Sequence, residues 1–157
     1  MAAPVARCRW RGQHEQSAKN VLVVDASVLA SALGDDGTSG DAARARLLDE
    51  ELTAPELIDL EVLSVLRRQR AAGSLDDRRS RLALDDLRDL PLERVSHRDL
   101  LWRAWELRDN LTVYGAAYVA LAEVLGVTLL TADAHLVNTP GARCVMELLR
   151  VRGRGHE

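Results

Sequence analysis

Three acidic residues carry the chemistry this chain is equipped for, and each is marked by its neighbours. Asp25 closes the apolar run Val21, Leu22, Val23, Val24, and Asp133 follows Val127, Thr128, Leu129 and Leu130 by way of Thr131 and Ala132. An acid at the carboxyl end of a buried strand sits on the edge of an open α/β sheet where ligands bind. In a parallel sheet both strand ends fall on the same edge, so acids far apart in sequence converge there; the alternative for either one is a plain helix cap. Glu61 is placed by helical phase. At 100° per residue it falls between Leu57 and Val65, opposite Asp59, Arg67 and Arg70, and so faces the core side. A carboxylate in apolar surroundings is costly unless paired, protonated or metal-bound. Arg68, seven residues on along the same face, offers a partly buried ion pair as the alternative.

Three carboxylates at one edge with little positive charge beside them repel, and a hard divalent cation offsets that repulsion. Mg²⁺ suits such a site: it takes carboxylate and water oxygens at ~2.0–2.1 Å and keeps several waters, which leaves room for a phosphate. Zinc suits it poorly, since His14, His97, His135 and His156 are scattered and Cys8 and Cys144 are remote from the acids. A carboxylate-held metal of this kind activates water and shields a phosphodiester. The expectation is that Asp25, Glu61 and Asp133 meet within a few ångströms at one rim and jointly chelate the ion.

The elements that position them follow from patterning. Short β-branched runs alternate with longer segments of helical period, which argues for an α/β chain with a mostly parallel sheet wrapped by helices. Strands are expected at 21–25, 52–54, 92–95, 127–130 and 143–147. Ser74 with Asp77, and Ser96 with Asp99, have the capping spacing of helix starts near 75 and 97, while Gly73 and Gly126 close the helices before them. Gly34 to Gly40, with three glycines and two aspartates, reads as a mobile connection. The domain is expected over 21–149, with tails at 1–20 and 150–157.

Composition bounds the rest. At 157 residues, 47% apolar and a formal charge of −3, the chain has the length of one domain and lacks the basic balance of a protein that coats nucleic acid. Its five aromatics, Trp10, Trp102, Trp105, Tyr114 and Tyr118, are too few for a base-stacking platform. No apolar run approaches the roughly 18 residues of a membrane helix, and the stretch before Val21 has no apolar signal region, so a cytoplasmic location with no membrane contact is expected. Arg67, Arg68 and Arg70, then Arg78, Arg79 and Arg81, form two basic clusters that either hold phosphates or are solvated helix faces. Trp102 and Trp105 fall on a predicted long helix, where they anchor an interface or pack in the core.

Taken in order, Val23, Val24, Asp25, Ala26, Ser27; Leu60, Glu61, Val62, Leu63 with Arg67 and Arg68; Tyr114 through Glu123; and Thr131, Ala132, Asp133 resemble the PIN-domain ribonucleases, specifically VapC-type toxins of bacterial toxin–antitoxin pairs. The resemblance spans about Val21 to Leu148. It implies a three-layer α/β/α sandwich, Mg²⁺- or Mn²⁺-dependent endonucleolytic cleavage of RNA such as tRNA or rRNA, homodimerisation, and neutralisation by a VapB-type antitoxin. It further implies that Asp25, Glu61 and Asp133 are the catalytic, metal-holding acids. Ser27 and Thr131 match hydroxyl positions that orient carboxylates or bound water; plain helix caps are the alternative for both.

One position departs from the pattern. The family places an aspartate immediately after the position of Tyr114, and here that residue is Gly115. Thr112 is expected to cap this helix, so Gly115 falls at the third helical position, where an acid serves both cap and metal. Glycine does neither, and inside a helix it is about 1 kcal/mol worse than alanine. Asp109 and Glu123 are the candidate substitutes, but Glu123 lies about 80° round the helix. The alternative to an active nuclease is therefore an impaired or inactive PIN-fold protein, its glycine natural or engineered, that acts by binding antitoxin or RNA. A receiver-type phosphoacceptor is disfavoured because the one lysine, Lys19, lies outside the expected core. A haloacid-dehalogenase-type phosphatase is disfavoured because Ser27 stands where its second aspartate is needed.

Overall fold

The computed structural model describes residues 20–151, so the tails expected at 1–20 and 150–157 lie almost wholly outside the described residues. Five strands, β1 (Val21–Val24), β2 (Glu51–Pro55), β3 (Leu92–Val95), β4 (Thr128–Thr131) and β5 (Met146–Leu148), form one sheet in the order β3-β2-β1-β4-β5. Every pairing is parallel, and Val23 at the centre registers with Thr53 on one side and Leu129 on the other. Strands covered on both faces must be apolar nearly throughout. Val23, Val24, Ala54, Leu129 and Leu130 are accordingly fully buried.

Chain direction decides which face each helix covers. The steps β1 to β2 to β3 run one way across the sheet and carry α1 (Ala26–Gly34), α2 (Thr38–Leu47), α3 (Ile58–Ala71) and α4 (Asp77–Asp89). The return from β3 to β4 carries α5 (Leu101–Glu106) and α6 (Val113–Leu125), and α7 (Ala134–Val137) follows β4. Right-handed crossovers therefore put α1–α4 on one face and α5 and α6 on the other. The contacts agree, with α1 packed on α2, α3 and α4, and α6 on α5. The result is the expected three-layer α/β/α sandwich. Strand order reverses between β1 and β4, so the crevice at their carboxyl ends is the ligand-binding place of an open α/β sheet.

Several boundaries differ from the expectations for identifiable reasons. β5 begins at Met146 rather than near 143, because the Arg143 N–H is taken by the Glu123 carboxylate at 2.7 Å and cannot join the ladder. α4 begins at Asp77 and is capped by Asp76, which accepts from the Arg79 N–H at 2.7 Å; Ser74 instead donates to the Gln69 carbonyl at the end of α3. The segment expected as a mobile connection is mostly helix, with only residues 35–37 between α1 and α2. There the Asp35 side chain accepts from the Gly37 N–H at 2.7 Å. A Cβ at Gly40 would sit 1.8 Å from the Asp35 carbonyl oxygen, so glycine is needed there for close approach. Trp102 and Trp105 lie on the short α5, after a 3₁₀ turn over His97–Leu100, rather than on a long helix. They are 84% and 58% exposed, which removes core packing as their role. Gly126 ends α6 in the left-handed conformation at φ 67°.

Candidate active site

Asp25 extends β1 by one residue, its N–H donating to the Leu130 carbonyl of β4 at 2.9 Å. It is the N-cap residue of α1 by position, but its side chain makes no cap bond to that helix. Instead Oδ2 accepts two hydroxyl hydrogen bonds, from Ser27 Oγ at 2.8 Å and from Thr131 Oγ1 at 2.7 Å. Both hydroxyls also accept from backbone: Ser27 Oγ from the Ala132 N–H at 3.1 Å, and Thr131 Oγ1 from the Asp133 N–H at 3.0 Å. Thr131 is fully buried. Accepting a backbone N–H directs each hydroxyl proton onto the carboxylate, so the turn after β4 and the start of α1 are locked together through Asp25.

Asp133 does cap a helix, Oδ1 accepting from the His135 N–H of α7 at 2.9 Å. Glu61 stands in the first turn of α3 and is half-buried. Its partner is not Arg68, which reaches only Ser64 Oγ at 3.5 Å. It is Tyr118 of α6, whose hydroxyl donates to Glu61 Oε2 at 2.5 Å. Burial pushes the Glu61 carboxyl above its ordinary value and the nearby Asp25 charge adds to that, while the Tyr118 hydrogen bond opposes both. Burial, then the bond to Glu61, pushes the Tyr118 hydroxyl far up, so it remains a donor. Tyr118 was the site residue that patterning missed; the signal available was a buried carboxylate in need of a donor and a tyrosine on the apolar side of α6.

Asp25, Glu61 and Asp133 line one cavity of about 570 Å³ together with Leu57, Arg68 and Tyr114. They do not close into the tight trio that was expected. Among the described residues, no group of three or more His, Cys, Asp or Glu side chains is gathered as a ready-made metal site. Among the described residues no arginine pairs with any of the three carboxylates to offset their mutual repulsion, and α6 brings Tyr114 but no acid to the cavity lining. The donor chemistry nonetheless fits a hard divalent ion. Each carboxylate keeps one oxygen, Asp25 Oδ1, Glu61 Oε1 and Asp133 Oδ2, with no hydrogen-bond partner among the described residues. Such oxygens suit an ion that retains much of its water.

Gly115 is the third residue of α6, and its N–H donates to the capping Thr112 Oγ1 at 3.1 Å, as expected. A Cβ there would meet Leu136 Cδ1 and Thr112 Oγ1 at 3.4 Å, which is ordinary contact, so an acid side chain has room to start from this position. Neither proposed substitute fills the gap. Glu123 is bound by Arg103 at 2.7 Å and by the Arg143 N–H, and Asp109 stands beside Arg108 outside the cavity lining. Of the basic clusters, Arg70 pairs with Asp77, and Arg79 pairs with Asp36 at 3.0 Å, as solvated faces do. Arg68 alone of these arginines lines the acidic cavity. Beside that cavity runs an apolar groove of about 650 Å³ lined by Leu101, Trp102, Trp105 and Val113, and sharing Leu57 and Tyr114 with it.

Comparison with known proteins agrees with this fold. The family model of the PIN domain matches residues 22–142. Ribonuclease VapC1 of Mycobacterium tuberculosis is 40% identical over 129 residues, covering 82% of this chain and 97% of that protein. Among solved structures, VapC20 of Mycobacterium tuberculosis, described as a Sarcin-Ricin loop cleaving toxin, superposes with a TM-score of 0.57 at 18% identity, covering 73% of this chain and 92% of its own. VapBC2 of Rickettsia felis, solved bound to a DNA fragment from its promoter, gives a TM-score of 0.57 at 14% identity, covering 83% and 99%.

Proposed function

Because the chain belongs to the PIN-domain family, among its VapC-type ribonucleases, we propose that it is a toxin of a VapBC pair that hydrolyses RNA phosphodiester bonds with Mg²⁺ or Mn²⁺. The observation that carries this reading is the bracing of Asp25 at the crevice between β1 and β4, by two hydroxyls that leave its other oxygen without a hydrogen-bond partner among the described residues. Asp25, Glu61 and Asp133 are the residues that hold the ion, and Ser27 and Thr131 orient Asp25. When bound, a divalent ion supplies the positive charge that offsets the carboxylates and polarises both water and phosphodiester. Hydrolysis adds the oxygen of water to phosphorus and breaks the bond to the 3′-oxygen, which leaves protonated; the products are a 3′-hydroxyl and a 5′-phosphate. Arg68, with no ion pair among the described residues, is placed to receive a phosphate of the RNA at the rim.

Gly115 leaves this set one acid short, so metal affinity is low and activity is limited at modest metal concentrations. A second function is favoured by that same glycine and by the open spacing of the acids: a protein that captures antitoxin or RNA without cutting. Cleavage of RNA by the native chain, by Asp25→Ala and by Gly115→Asp separates the two. Metal-dependent cutting by the native chain that disappears in Asp25→Ala supports the nuclease; cutting by neither the native chain nor Gly115→Asp supports capture alone.

The partners follow the family. A VapB-type antitoxin neutralises the toxin, and the cytoplasm, where RNA and antitoxin are made, is its place of action. Among the described residues no helix is long and apolar enough to cross a membrane. A homodimer is supported by the exposed Trp102 and Trp105, since apolar patches of this kind mark protein interfaces. Sedimentation checks it: replacement of both tryptophans by serine yields a monomer if a second copy covers this face.

A further inference from the structure

We propose that Tyr118 is a positioning residue for the metal site, holding Glu61 as Ser27 and Thr131 hold Asp25. This rests on the reading of Glu61 as a metal-holding acid. Tyr118 is only 1% exposed, yet its hydroxyl reaches the half-buried Glu61 and donates to Oε2, while Oε1 has no hydrogen-bond partner among the described residues. The two braced acids thus share one design. In each, a hydroxyl anchored in the core occupies one carboxylate oxygen and leaves the other for a ligand, and in neither is the brace a cation that would compete with a metal for the charge.

The location on α6 gives the contact a further consequence. Glu61 sits on α3, in the helical layer it shares with α1 and α4, and Tyr118 on α6, which packs on the strands in the opposite layer. The hydrogen bond therefore ties the two helical layers across the carboxyl edge of the sheet, one turn beyond Gly115. With no acid at position 115, this hydroxyl is the contribution of α6 to the carboxylate set. Without it Glu61 would be free to swing to its other rotamers, and its partly buried oxygen would lose its donor.

The test uses the full chain with Mn²⁺ as the probe, its binding followed by electron paramagnetic resonance and folding followed by thermal melting. Loss of an orienting hydrogen bond to a metal ligand weakens binding by about 10–100-fold. The expected result is a shift of that order in Tyr118→Phe, with RNA cleavage recovering as the metal concentration is raised. Unchanged Mn²⁺ affinity in Tyr118→Phe, beside a large loss in Glu61→Gln, overturns the role of Tyr118 and leaves the site intact. Unchanged affinity in both variants overturns the site itself. As a second measurement on the native fold, the Tyr118 hydroxyl proton should be visible by NMR and should shift as Mg²⁺ is added. A hydroxyl resonance indifferent to Mg²⁺ contradicts the proposal even if Tyr118→Phe fails to fold.

Discussion

Substituting Gly115→Asp changes one position and adds one carboxylate at the third residue of α6. Room is available, because the new Cβ meets its nearest neighbours at 3.4 Å and the backbone is helical. Removing glycine from a helix gains a few tenths of a kcal/mol, and an acid in the first turn gains about 0.3–1 kcal/mol from the helix dipole. Repulsion from Asp25 and Glu61 offsets that gain in the metal-free protein, so its melting temperature should move little. Metal binding removes the repulsion. If the added ligand tightens binding by about 10–100-fold, the size seen when a metal site loses even an orienting partner, the difference is ~1.4–2.7 kcal/mol at metal concentrations above both dissociation constants. For a chain of this length that is about 3–10 °C more Mg²⁺-induced stabilisation in the variant than in the native chain. Paired thermal melts with and without Mg²⁺, beside RNA cleavage over a range of Mg²⁺ concentrations, measure both. Identical Mg²⁺ shifts and identical metal dependence of cleavage would refute the view that position 115 is a missing ligand.

Other perturbations are read more simply. Thr131→Val keeps shape but removes the hydroxyl donor from Asp25 and the acceptor of the Asp133 N–H; chemical denaturation should show a loss of about 1.5–3 kcal/mol, and calorimetry weaker metal binding. Gly40→Ala drives a Cβ toward the Asp35 carbonyl, and the forced separation of α1 from α2 should destabilise by at least ~1–3 kcal/mol in the same assay. The paired hydrogen bonds from Arg46 to Glu147, at 2.7 and 2.9 Å, hold the Glu147 carboxyl below its ordinary value of 4.5. A depressed carboxylate stabilises the fold above its ordinary value and loses that contribution as pH falls through the lowered one. Arg46→Gln should therefore be less stable than the native chain at about pH 7, by no more than ~1 kcal/mol in this partly exposed pair, with the gap closing as pH falls below 4.5 and through the lowered value.

The strand ends at Asp25 and Asp133 could be read from sequence because a doubly covered parallel sheet demands apolar runs, and such runs are visible without any tertiary knowledge. The inward phase of Glu61 followed from the period of α3 alone. Which residue would answer Glu61 did not follow. Arg68 and Tyr118 were both chemically able to do so, and the choice was made by the packing of α6 across the sheet from α3. The shorter β5 and the later start of α4 have the same origin, since a Glu123 carboxylate and an Asp76 cap claimed backbone N–H groups that local patterning assigns elsewhere. Gly34 to Gly40 looked mobile because glycine is commonest in turns. At Gly40 it serves a close approach between backbones, which no local pattern distinguishes from flexibility.

Anomalous diffraction from crystals soaked in Mn²⁺ tests the central claim most directly. The account predicts one strong peak in the crevice between β1 and β4, with Asp25 Oδ1 and Glu61 Oε1 in direct coordination and Asp133 bound directly or through water. A peak away from these carboxylates, or none at metal concentrations that support RNA cleavage, would contradict it.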